Sequence, residues 1–455
     1  MFRFPAARLA VLMAVGVAPI VAQGAPPAFD VRLDSIAQAP RSAMIERDVR
    51  TLAGFGTRNT YSDTLSTSRG IGAARRFVFA EFQRISAACG KCLEVRYQQS
   101  IVKGTATESR TTPDVNVVNV IAIQRGTTDP GHVVMMSGDI DSRNSNGNDV
   151  TKDAPGANDN ASGMSGVLEA ARTLTRYKFG KTIIYTGLSG EEQGLYGGTS
   201  LAKEFVDSAW VVEAVLNNDM IGNVSGINGE MDNRSFRIFS EPVPVTETEA
   251  DRRARRSYGG EVDGPSRQLA RYIERVVREH MPAMQPRMIY RLDRFGRGGH
   301  HKPFNDLGMP AVRIMETHEN YDRQHQDVRS ENGREFGDVV SGVNFDYAAH
   351  LTGANAVVLA SLAWAPAPPG KVRVQGAVSP STSVSWTPAP GDSALGYKVY
   401  WRETTSPQWQ NWRWVPVGTT LITLQNVVID DFYFGVAAVG RGGHESVIQF
   451  PSFVR

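Results

Sequence analysis

Cysteine is nearly absent. Two residues, Cys89 and Cys92, serve a chain of 455, which excludes a disulfide-built scaffold. An excess of one charge is missing too: 49 Lys and Arg stand against 47 Asp and Glu, a net charge of +2. No field of that size draws a protein to nucleic acid or to an anionic membrane. The local exception, Arg252, Arg253, Arg255 and Arg256, reads as a solvated loop. Beyond the first 25 residues no apolar run approaches the ~20 residues of a membrane-spanning helix, so stable membrane insertion is not expected. What remains is an ordinary soluble composition, 41% hydrophobic and 21% charged, with length for two or three domains and a large core.

The start reads as a secretory signal over residues 1–25. Arg3 and Arg8 precede or open the apolar stretch LAVLMAVGVAPIVA, and Ala22, Gly24 and Ala25 supply small residues for cleavage. A secreted or periplasmic location follows. In an oxidising compartment the C-G-K-C of Cys89 and Cys92 is expected to close as a local disulfide at a helix end.

From residue 116 the pattern turns regular. NVVNVIAIQ, HVVMMSGDI, KTIIYTGL, VVEAVLNN and MPAVRIME are short buried strands. Between them MSGVLEAARTLTRY, TSLAKEFVDSAW and RQLARYIERVVREHM have helical periodicity. Strands alternating with helices predict an α/β fold with a mostly parallel central sheet over residues 26–364. Residues 365–370, APAPPG, form a linker, and 371–455 change to alternating short strands, the pattern of a small all-β sandwich. That unit resembles a fibronectin type III module, with Phe432 where the family has its corner tyrosine. It offers a surface for contact with a polymer or cell surface. Most of Trp401, Trp409, Trp412 and Trp414 are expected to be buried.

The chemistry lies in where the acids fall. Asp139 and Asp141 follow one strand, Asp159 precedes a helix, Glu191 and Glu192 end the strand KTIIYTGLSG, and Asp219 ends VVEAVLNN. The carboxyl ends of parallel strands share one sheet edge, so these acids should meet in one crevice. Like charges gather only if cations neutralise them. Divalent metal is the economical answer. The adjacent Glu191 and Glu192, pointing different ways in extended backbone, can divide the work of metal ligand and general base.

PGANDNASGMSGVLEAAR, GLSGEEQGLYGGTSLA and LNNDMIGN resemble, in that order, elements of the M28 zinc aminopeptidases over roughly residues 115–330. The resemblance implies an exopeptidase on peptide or protein substrates, with two divalent metal ions, zinc by family. It makes Asp159 the bridging ligand, Glu191 the general base, Glu192 a ligand of the second metal and Asp219 of the first. Of His318 and His325, it selects His325 as the last ligand. His300 and His301 match an element near the site that is not normally a ligand. One position departs: Gly138-Asp139-Ile140-Asp141 has Asp139 where the family carries a histidine. Asp139 would then ligate by oxygen and Asp141 support it from outside. Four acids against two divalent ions leave a neutral first shell of ligands and a weaker Lewis acid, with altered metal preference or half occupancy. A carboxypeptidase or glutaminyl cyclase on the same scaffold, or a binding protein with a degraded metal site, are the rival readings.

Restoring the family residue in Asp139→His is expected to change metal content or turnover. Unchanged metal stoichiometry and an unchanged rate would dismiss the charge argument.

Overall fold

The computed structural model describes residues 24–104 and 112–451. The signal-like stretch lies almost entirely outside them. Eight strands form one mixed sheet: β1 (Glu94–Val102), β2 (Val115–Gln124), β3 (Asp129–Asp139), β4 (Lys181–Leu188), β5 (Val211–Asn218), β6 (Ser235–Ser240), β7 (Gln285–Ile289) and β8 (Ala311–Glu316). Their order is β1-β2-β4-β3-β5-β8-β6-β7. The centre, β4-β3-β5-β8, is parallel. β1 and β2 run antiparallel at one edge, and β6 opposes β8 before β7 joins it in parallel. The expected α/β sandwich is present, with antiparallel margins.

Strand alternation sends Val134 and Met136 to one face, and Val133 and Met135 to the other. The first face is covered by helices Gly163–Leu174 and Phe345–Trp364, both buried along almost their whole length. Neither has a polar side to show, as befits a helix enclosed on all sides. The amphipathic helix Pro265–His280 lies on the same face. The second face packs Leu201, Phe205 and Phe304 from the helices Tyr196–Asp207 and Lys302–Asp306.

Two local expectations need correction. Arg252–Arg256 lie in a helix, Glu249–Tyr258, rather than a loop. Thr248 and Asp251 form a capping box at its start, and Glu249 pairs with Arg252 and Arg253 one turn on. Glu191 and Glu192 open a short helix, Glu191–Gly194, rather than ending a strand. Cys89 and Cys92 are joined as a disulfide just after the helix Gly70–Ala88.

Residues 370–439 build two three-stranded antiparallel sheets, packed around Val384, Trp386, Tyr397, Val399, Leu424 and Phe434. Trp414 is buried and Trp401 and Trp409 are half-buried, while Trp412 stands exposed. The APAPPG segment is itself largely buried, and Pro366 O accepts from Lys181 Nζ at 3.0 Å. The β unit is seated on the helix Pro265–His280. Asp263 receives Arg402 from the sandwich at 2.6 and 2.8 Å and Arg271 from the helix at 2.7 Å. All three side chains are 1% exposed.

Removing one member of a buried ion group leaves charge unpaired, at a cost of about 3–5 kcal/mol. Asp263→Ala, which strands two guanidinium groups, is expected to lower the denaturant midpoint by an amount of that order. An unmoved midpoint would show that the seating of the β unit contributes nothing to stability.

Candidate metal centre

All the predicted acids lie at the carboxyl end of the parallel strands. Asp139 closes β3, Glu191 and Glu192 follow β4 after Ser189-Gly190, and Asp219 follows β5. His325 comes from the segment after β8. Asp159 arrives on the turn Ala157–Ser162 that leads into the helix Gly163–Leu174. That helix can abut the strand tip because both contact points are glycine. A Cβ on Gly138 would lie 2.7 Å from the backbone of Gly163 and Met164, and one on Gly163 would lie 2.3 Å from Asn218 O.

Asp159, Glu192 and His325 converge. The His325 Nε2 lies 2.9 Å from Asp159 Oδ2 and 3.0 Å from Glu192 Oε1. The three ligand atoms lie within 4.8 Å of one another. An imidazole nitrogen and two carboxylate oxygens make a donor set suited to zinc, so these residues fit the ion. His325 holds a left-handed φ of 55°, unusual for a residue with a Cβ. His318 is elsewhere, 3.2 Å from Glu230.

Arg143 escaped the sequence reading. Its Nε donates to Glu192 Oε2 at 2.7 Å and its Nη2 faces His325 Nδ1 at 2.6 Å, so one side chain positions both groups. Only its place two residues after Asp141 could have signalled it.

Asp141 works through the backbone. Its carboxylate accepts the N–H groups of Gly190, Glu191 and Glu192 at 2.9, 3.2 and 3.1 Å and the Thr60 hydroxyl at 3.2 Å. It therefore fixes the turn that carries both glutamates, where support of Asp139 was expected. Burial, then the charges of Asp139 and Glu192, push its carboxyl up to about 6.

The other half of the crevice is differently satisfied. Asp139 Oδ1 lies 2.5 Å from His300 Nδ1, and its Oδ2 accepts from Asn160 Nδ2 at 2.6 Å. Asp219 Oδ2 pairs with Arg313 Nη2 at 2.8 Å, and its Oδ1 is buried without a partner. Arg313, fully buried, is held from behind by Asp293 and Gly298 O. His301 turns away to Leu292 O.

Electrostatics report the crowding. Burial, then the charges of Asp219, Glu192 and Asp139, raise Glu191 well above the carboxylate range. Burial, with Asp159 adding, raises Asp139, and burial likewise raises Asp219 against the pull of Arg313. Burial opposes ionisation of Asp159, but the adjacent His325 overcomes it and holds that carboxyl low. A bound cation would lower these acids together.

A family model, Peptidase family M28, matches residues 119–343. A "probable zinc metalloprotease" of Pyrenophora tritici-repentis is 37% identical over 413 residues, covering 90% of this chain and 94% of its own. The chain belongs to peptidase family M28. A second protein so named, from Leptosphaeria maculans, is 38% identical over 427 residues, covering 93% of this M28 chain and 98% of its own. Solved structures share the fold. LapA aminopeptidase of Legionella pneumophila superposes with a TM-score of 0.51 at 15% identity, covering 77% of each chain. LapB of the same organism gives 0.51 at 18%, covering 73% of this chain and 75% of its own.

In this M28 chain His325→Ala and Glu192→Ala are each expected to weaken zinc binding by more than the roughly 10–100-fold that an outer supporting residue contributes. His318→Ala should leave it unchanged. Competition with a chromogenic chelator reads all three, and loss of zinc in His318→Ala alone would overturn the ligand choice.

Proposed function

We propose that this protein is an exported zinc exopeptidase that removes residues from the N-terminus of peptides, with Glu191 as its general base. The observation that carries the metal chemistry is the convergence of Asp159, Glu192 and His325 beside that glutamate. Family membership supports peptide-bond hydrolysis, and the signal-like first 25 residues support export. No helix among the described residues is long and apolar enough to cross a membrane.

Asp159, Glu192 and His325 would hold the zinc, which supplies Lewis acidity to polarise a carbonyl and ease proton loss from water. Glu191 accepts a proton from the attacking water and returns it to the departing amine, so the peptide and one water become an acid and an amine. Asp141 keeps Glu191 and Glu192 on their turn by holding three successive N–H groups. Arg143 keeps Glu192 and His325 facing each other. The reading with two ions assigns Asp139 and Asp219 to the other ion, with Asp159 between the two; Asp219 Oδ1 is without a partner and open to metal, while Asp139 would exchange His300 or Asn160 for it. For the C-terminal unit we propose a fibronectin type III-like module. Its exposed Trp412, 47% accessible, is the aromatic best placed for contact with a surface or polymer.

A panel of short peptides with free and blocked N-termini tests the assignment. Free peptides should be cleaved and blocked ones spared, and a chelator should abolish the activity. Glu191→Gln should retain zinc while kcat falls by roughly 10²–10⁴-fold, the usual contribution of a general base. Chelator-resistant cleavage would sink the metallopeptidase reading. Equal cleavage of blocked peptides would sink the aminopeptidase one.

A further inference from the structure

We infer that His300 is a ligand of the divalent ion at the Asp219 end of the crevice, replacing in space the histidine missing at position 139. Asp139 then serves as the carboxylate that orients it. The inference rests on the reading that Asp159, Glu192 and His325 hold the neighbouring ion, and revises only the part given to Asp139.

The two residues stand 161 positions apart, and the fold brings His300 Nδ1 to 2.5 Å from Asp139 Oδ1. One proton lies along that line. With it on Nδ1, Nε2 presents a bare lone pair. That nitrogen is buried and has no partner among the described residues, on a side chain with no exposed surface. A buried polar atom left unpaired is costly, and a bound ion removes the cost. Burial pushes the imidazole down to about 4 against the charges of Asp141 and Asp219, and the neutral ring is the form that binds metal. A histidine that ligates a metal almost always gives its other N–H to a carboxylate or carbonyl. His300 and Asp139 have that arrangement.

Asp139 is fixed in the supporting part from its other side. Its Oδ2 accepts from Asn160 Nδ2 at 2.6 Å. The Oδ1 of Asn160 accepts the backbone N–H groups of Gly163 and Met220 at 3.1 and 3.2 Å. The amide cannot turn over without losing both, so it keeps a donor toward Asp139. With one oxygen on Asn160 and the other on His300, the carboxylate is already placed as an orienting group.

Two oxygens complete the set. Asp219 Oδ1 is buried and unpartnered, while its Oδ2 stays on Arg313 at 2.8 Å. Asp159 turns Oδ2 to His325 and Gln324 at 2.9 and 3.3 Å, and its Oδ1 is unengaged among the described residues. One nitrogen and two oxygens match a zinc site that keeps an open position. The charge changes as well. With His300 in place of Asp139, the ligand acids are Asp159, Glu192 and Asp219, which leave one positive charge on two divalent ions. That is a stronger Lewis acid than the neutral shell with Asp139. Among the described residues only Asp159, Glu192 and His325 have ligand atoms within 4.8 Å of one another. The Asp219 end must therefore close on its ion, beside the positive Arg313, and its ion should bind the more weakly.

The full-length protein, titrated with zinc against a chromogenic chelator, should take up two zinc ions per chain, one tightly and one weakly. His300→Ala, checked for folding by circular dichroism, should keep the tight ion and lose the weak one. Asp139→Asn should keep both, the weak one loosened by roughly 10–100-fold, the usual share of an outer carboxylate. In the wild type loaded with two ions, X-ray absorption at the zinc edge should read one imidazole per zinc on average. Half that number, with His325 alone supplying imidazole, would overturn the inference even if His300→Ala fails to fold. Two ions in His300→Ala at wild-type affinity, or a single ion in the saturated wild type, would overturn it too and leave the peptidase reading standing. No zinc in the wild type would remove the metallopeptidase reading with it.

Discussion

Carboxylates crowded at one sheet edge repel one another, and the rest of the site follows from how that repulsion is offset. Asp139, Glu191 and Asp219 lie close enough to the charges of one another, of Asp159 and of Glu192 for burial and repulsion together to favour their protonation. At the Asp159 end the offset comes from His325, with Arg143 behind it. At the Asp219 end it comes from Arg313. These are different solutions. An imidazole can share its place with a cation as a fellow ligand, while a guanidinium has no acceptor to offer one.

The fold makes the crowding affordable by placing each acid on a short, stiff support. Parallel β3, β4, β5 and β8 end at one level, and the segments after them are held by hydrogen bonds to backbone. Asp141 fastens the turn of Glu191 and Glu192, and Asp338 accepts the N–H groups of Asn158 and Asp159 at 2.8 and 2.6 Å. Each support is a buried carboxylate spent on orientation rather than on reaction. The β unit is likewise tied in, through Asp263 and its two arginines and through a buried linker. It behaves as a fixed third layer of contacts along the helix Pro265–His280, not as a tethered appendage.

Much of this was legible along the chain. The strand runs that became β2, β3, β4, β5 and β8 were readable because buried parallel strands are short, apolar and β-branched. β1 and β7 were not, being partly exposed edge strands without a clean pattern, and β6, buried between β8 and β7, was not because SFRIFS is short and broken by an arginine. The helix Glu249–Tyr258 buries no residue, so no hydrophobic period marked it; its capping box and charge pairs did the work instead. Arg143 and Arg313 were missed because a single arginine in a sequence carries no sign of what it will face.

By itself the sequence determined the family, the strand-end acids and the preference for His325, since each depends on local pattern and on residue types kept in order. It also exposed Asp139 as a departure, which needs only a comparison of letters. Tertiary structure alone decided which donors meet those acids. His300, Asn160 and Arg313 lie 161, 21 and 94 positions from the carboxylates they touch, and separations that large are set by how β3, β5 and β8 pack side by side. Charge compensation acts through space over a few ångströms, so it became readable only once the chain was folded.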